Sequence, residues 1–189
     1  MPDPVILGSD HAGFALKERL KKVLDRLEIP WEDVGTGSED SVDYPDFAHQ
    51  VADAVASGRF ARGVLLCGTG IGVSITANRH AGVRAAHVCD ENGARLSREH
   101  NDANVLALGG RTTDPELAER ILETWLMTPF AGGRHAVRTK TGRLRASYSV
   151  QVIWFLSVSE PFSLTQLGSL TSRSSQTGMS PSVGVVTGS

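Results

Sequence analysis

Cysteine is scarce in this chain of 189 residues: Cys67 and Cys89 are its whole supply. Two thiols cannot build a disulfide framework, so a cross-linked secreted scaffold is excluded and a reduced, cytoplasmic setting is expected. No basic leader followed by an apolar stretch precedes the first apolar run at Val5, which points the same way. Long hydrophobic runs are missing too, so the membrane is not an expected partner. Nor is there an excess of one charge: 19 Lys and Arg against 21 Asp and Glu leave a net charge of -2. Nucleic acid is therefore not an expected partner, although a local basic cluster can still hold a small phosphate.

What is present, 40% hydrophobic and 21% charged residues, is enough for one globular domain of ordinary size plus an appendage. Up to about Trp125, short apolar runs alternate with longer amphipathic segments, the sign of βαβ units and a parallel sheet. Strands are expected near residues 5–7, 31–34, 64–66, 84–88 and 105–108. Helices are expected at 14–27, 46–56, 71–78, 91–98 and 114–127. The first of these places Phe14, Leu16, Leu20, Val23, Leu24 and Leu27 mostly at helical spacing, and the last opens on an Asp114-Pro115 cap. The pattern predicts an α/β fold with a doubly wound, five-stranded parallel sheet.

Residues 129–145 form an Arg- and Gly-rich arm, read as a loop followed by a short helix. Arg134 and Arg138 stand four apart, so a helix would project both from one face toward a single anion. The charge then nearly vanishes. Residues 146–189 carry only Glu160 and Arg173 and are rich in Ser and Thr. This composition predicts a largely disordered tail after a folded domain spanning 1–145.

Chemistry concentrates at Cys67-Gly68-Thr69-Gly70-Ile71-Gly72, directly after the apolar run Val64-Leu65-Leu66. A cysteine at a strand end is commonly just a buried residue. Here the glycines let backbone N–H groups approach a ligand, and a following helix would add its positive end. Thiols in such surroundings are suited to act as base or nucleophile. In a parallel sheet, ligands sit at the carboxyl ends of strands, which is expected to gather Asp10 and His11, Cys67, and His100 with Asn101.

Five motifs in order carry a resemblance. They are Gly8-Ser9-Asp10-His11-Ala12-Gly13-Phe14, Asp43-Tyr44-Pro45, the Cys67–Gly72 loop, Ser97-Arg98-Glu99-His100-Asn101-Asp102-Ala103-Asn104, and Gly132-Gly133-Arg134-His135. Together, over roughly residues 5–138, they resemble the type B ribose-5-phosphate isomerases. The resemblance implies a Rossmann-like three-layer α/β/α sandwich, no metal or organic cofactor, and a homodimer or a pair of dimers with sites shared between subunits. It also implies a reaction: interconversion of ribose 5-phosphate and ribulose 5-phosphate through an enediolate. Cys67 would be the base, with Thr69 orienting it and N–H groups from Gly70 to Ser74 facing the enediolate oxygen. His100 with Asp10 would open the sugar ring and Asn101 would hold a hydroxyl. His11, Arg111, Arg134 and Arg138 would bind the phosphate. Tyr44, Gly68, Gly70, Ile71, Gly72 and Ser74 would line the pocket. Some members use a carboxylate base at the position of Val73, so this chain resembles the cysteine-base members.

Other readings stay open. Isomerases of galactose 6-phosphate and allose 6-phosphate share much of this apparatus. A dinucleotide-binding module would use Gly68-x-Gly70 with Asp90 as its ribose acid, but the third glycine is misplaced and the motif follows the third strand. A cysteine phosphatase would want an arginine closer to the loop than Arg79. A module that merely senses a sugar phosphate fits the same residues.

Overall fold

The computed structural model describes residues 2–141; the end of the arm and the expected tail lie outside the described residues. Eleven elements follow in order: β1 (Val5–Ser9), α1 (Phe14–Arg26), β2 (Trp31–Asp33), α2 (Tyr44–Ala56), β3 (Arg62–Cys67), α3 (Ile71–Ala77), β4 (Ala85–His87), α4 (Glu91–Asn101), β5 (Val105–Gly109), α5 (Pro115–Met127) and α6 (Arg134–Thr141). The strands form one parallel sheet in the order β2-β1-β3-β5-β4.

Helices cover both faces. On one, Leu16, Leu20, Val23 and Leu24 of α1 join Trp125 and its neighbours on α5 against Val5, Leu7, Val64 and Leu66. On the other, Val51 and Val55 of α2 and Val73 and Ala77 of α3 pack on Ile6, Leu65 and Ala107. Alternate residues of β1 and β3 thus feed opposite layers, as the pleat requires. The result is the expected three-layer α/β/α sandwich.

Two helix boundaries differ from expectation by more than one residue. α2 begins at Tyr44 because Pro45 lies within its first turn, where the missing N–H costs nothing. α4 runs on to Asn101 and stops where Asp102 takes a left-handed conformation at φ 48°.

The sheet has its switch point between β1, which crosses over one way to β2, and β3, which crosses over the other. Ligands of open α/β sheets bind in the crevice outside the carboxyl ends at such a point. Here those ends are Ser9-Asp10 and Cys67.

Candidate active site

Three loops interlock at this carboxyl edge. The Asp10 N–H donates to the Leu66 carbonyl at 3.3 Å, the Gly110 N–H to the Cys67 carbonyl at 2.8 Å, and the Arg111 N–H to the Gly68 carbonyl at 3.0 Å. Glycine is needed for this packing: a Cβ on Gly13 would lie 2.7 Å from the Leu66 Cβ, and one on Gly110 2.3 Å from the Ala12 carbonyl oxygen. Gly70 adopts φ 78°, and a Cβ there would also strike His87 and the Leu108 carbonyl. The loop sequence thus follows from two demands, left-handed backbone and close approach.

Cys67 is buried, and its Sγ accepts the Gly70 N–H at 3.1 Å. That donor gives negative charge on sulfur a partner. Thr69 Oγ1 accepts the Ile71 N–H at 3.3 Å. The Ser74 N–H donates to the Gly70 carbonyl and its hydroxyl to the Ile71 carbonyl. Of the N–H groups from Gly70 to Ser74, those of Gly72 and Val73 are the ones not engaged in these bonds. Asp10 is buried and its Oδ1 accepts the Gly13 N–H at 3.0 Å, closing the turn that leads into α1. Next to it, His11 Nδ1 lies 3.2 Å from both the N and the O of Val42, tying the β1 exit to the segment ahead of α2. Tyr44 stands at the head of α2, its ring within 2.8–3.2 Å of where a Gly72 Cβ would be. The Arg111 side chain passes beside Gly68. Asp10, His11, Tyr44, Cys67, Gly68, Thr69, Gly70, Ile71, Gly72, Ser74 and Arg111 therefore share one edge.

His100, Asn101, Arg134 and Arg138 do not. α4 returns from the carboxyl end of β4, so its last turn reaches the amino edge, where the Gly63 N–H donates to the Asn104 carbonyl at 2.9 Å. Gly63 pairs with Val105 and Cys67 with Gly109. Four residues of buried strand, about 13 Å at the usual rise, separate the two edges. The expectation that His100 and Asn101 join Cys67 at the carboxyl edge is thus corrected: a single chain keeps them apart.

At the amino edge a cleft of about 950 Å³ is lined by His100, Asn101, His135 and Arg138 together with His80 and Arg84. α6 forms as the arm predicted and places Arg134 and Arg138 one turn apart. His135 is held below the ordinary histidine range by burial, then by His100, Arg134 and Arg138, with Glu99 opposing. Sequence reasoning gave His135 no role, although its motif was in view. It also passed over His87, whose strand-end position on β4 sets it against Gly70. Asp90, the acid of the dinucleotide reading, caps α4 by accepting the Gly93 N–H at 2.6 Å. Among the described residues no group of three or more His, Cys, Asp or Glu side chains is arranged to hold a metal ion.

Known proteins share this frame. Ribose-5-phosphate isomerase B of Escherichia coli is 46% identical over 136 residues, covering 72% of this chain and 91% of that protein. The solved ribose 5-phosphate isomerase of Thermotoga maritima is 50% identical with a TM-score of 0.72, covering 74% of this chain and 96% of its own. Ribose-5-phosphate isomerase B of Clostridium thermocellum, also solved, is 45% identical with a TM-score of 0.72, covering 80% and 99%. Residues 5–141 match the ribose/galactose isomerase family, and the chain belongs to it.

Proposed function

We propose that this protein is an aldose–ketose isomerase that interconverts ribose 5-phosphate and ribulose 5-phosphate, at a site completed by two copies of the chain. The observation that carries this reading is Cys67 at the β1/β3 switch point, beneath a glycine loop that directs an N–H at its sulfur. The relatives named for this reaction support the substrate. The reaction belongs in the cytoplasm, within the pentose phosphate pathway.

The chemistry needs ring opening, transfer of a carbon-bound proton and stabilisation of an enediolate. Cys67 as thiolate moves the proton between C2 and C1, with Thr69 beside it. The N–H groups of Gly72 and Val73 face the developing oxyanion, and a donor so used typically contributes about 2.7–4 kcal/mol. His100 of a second copy, with Asp10 of the first, exchanges the ring-opening proton, because imidazole titrates nearest neutrality. Asn101 holds a sugar hydroxyl. His11 and Arg111 from one copy meet Arg134 and Arg138 from the other around the phosphate.

Separation of the two residue sets within one chain supports this sharing. So do the exposed Ile71 and Ile75, which give α3 an apolar outer face beside the loop. A homodimer, alone or paired into a tetramer, is the assembly that results. A coupled assay comparing ribose 5-phosphate with galactose 6-phosphate and allose 6-phosphate at equal concentration tests the reading. The five-carbon substrate should win by at least ten-fold in kcat/KM; preference for a six-carbon substrate, or no turnover of any, overturns it.

A further inference from the structure

We propose that His135 is the positioning residue for His100, a flat aromatic plate that sets the orientation of the ring-opening imidazole. The inference rests on the reading of His100 given above. The two rings stack with centroids 4.2 Å apart and planes within 4° of parallel. Such a face-to-face contact blocks tilting of His100 and leaves it rotation within its own plane.

The backbone is built to deliver this stack. The Ala131 N–H donates to the Glu99 carbonyl at 3.1 Å, pinning the arm to the last turn of α4 one residue before His100. Gly132 and Gly133 follow at φ 64° and 54°, two successive left-handed residues that turn the chain at once into α6. The His135 N–H closes that turn on the Gly132 carbonyl at 3.0 Å. His135 is thus the second residue of α6, presented by a turn that only glycine fits well.

The charged neighbours favour a division of labour. Glu99 and Arg98 lie on α4 beside His100, Arg134 and Arg138 on α6, and Arg84 and His80 on the cleft wall. Two imidazolium rings stacked at this distance would repel each other. Burial, then His100, Arg134 and Arg138, lower the His135 pKa and so favour its neutral form. His100 is the ring given the proton in the reading above, and the stacked face of His135 offers it an aromatic surface while charged.

Ribulose 5-phosphate provides the separating measurement. With its C5 oxygen bound to phosphorus it cannot close a five-membered ring, so exchange of its C1 hydrogen with deuterated water reports proton transfer without ring opening. His135→Ala should lower kcat on ribose 5-phosphate ten-fold or more while leaving the exchange rate within about two-fold of wild type. His135→Phe, which keeps the plate and removes both nitrogens, should recover most of that loss with KM unchanged.

Equal loss of conversion and exchange in His135→Ala would overturn the proposal in favour of a purely structural role. A ten-fold rise in KM and weaker inhibition by inorganic phosphate in His135→Phe would overturn it in favour of a phosphate ligand. The parent reading fails separately: His100→Asn would then convert ribose 5-phosphate at the wild-type rate.

Discussion

In the proposed mechanism Cys67 moves a proton between two carbons of the sugar. It is fixed for that task by the carboxyl end of β3 and by one N–H from Gly70. Because the thiolate acts on a carbon-bound proton, it makes little contact with the ground state. Cys67→Ala should therefore lower kcat at least a thousand-fold while leaving the affinity for ribose 5-phosphate within about three-fold, measured by calorimetry. Cys67→Ser should be nearly as poor, since a hydroxyl without its own activating base is too weak an acceptor at neutral pH. Turnover above a tenth of wild type in Cys67→Ala would move the base elsewhere. The position of this thiol at the end of β3 was legible from sequence because its signal is local, a thiol between an apolar run and three spaced glycines. Asp10 was half legible: its side chain serves the turn into α1, the bland role a lone aspartate suggests, and sits at the switch point as well.

Among the elements, the contact of α1 with β2 is governed by one buried charge. Lys17 is 1% exposed and its Nζ reaches Asp33 at 2.7 Å and the Thr36 carbonyl at 2.7 Å, so α1 holds both the end of β2 and the segment beyond it. Burial alone would raise the Asp33 carboxyl, but hydrogen bonds from Lys17, the Gly35 N–H and Lys21 outweigh it and hold the group below its ordinary value. A carboxylate depressed in the folded state stabilises the fold fully above the unfolded value of about 3.9, and that stability is lost as pH falls through the lowered folded value. Thermal melts from pH 6 to pH 2.5 should therefore show an acid-side loss that is smaller in Asp33→Asn. At neutral pH the same variant should be less stable by about 3 kcal/mol, because Lys17 stays buried without its counter-charge. Parallel melting curves for the two proteins across the acid range would remove Asp33 from the account. The burial of Lys17 was not legible in sequence, since helical periodicity assigns sides and not partners. The elements themselves were legible for the complementary reason: spacing of apolar residues and the Asp114-Pro115 cap are local signals. Pro45 misplaced the start of α2 because a proline reads as an interruption unless the first turn is recognised.

For the whole molecule, the decisive feature is that a βαβ crossover returns to the amino edge, so every crossover helix carries its last residues away from the strand ends where ligands bind. Motif order in the sequence identifies the family but does not encode this geometry. Insertion of β5 between β3 and β4 is likewise a long-range choice that no local pattern states. Hence the motif that carries His100 and Asn101 was legible while the edge it occupies was misjudged. Two copies resolve the conflict if the amino edge of each serves the carboxyl edge of the other, and this can be tested by mixing dead chains. A Cys67→Ala chain keeps a working amino edge, and a His100→Ala chain keeps a working carboxyl edge. Each homodimer is inactive in both sites. In a heterodimer, one site combines the two lesions and the other combines the two intact halves. Random pairing from an equal mixture makes half the dimers mixed, with one of two sites intact, so about a quarter of wild-type activity per chain should return after unfolding and refolding together. Activity that stays at the level of the separate variants, in a sample where native mass spectrometry finds the heterodimer, would mean that each chain builds its site alone.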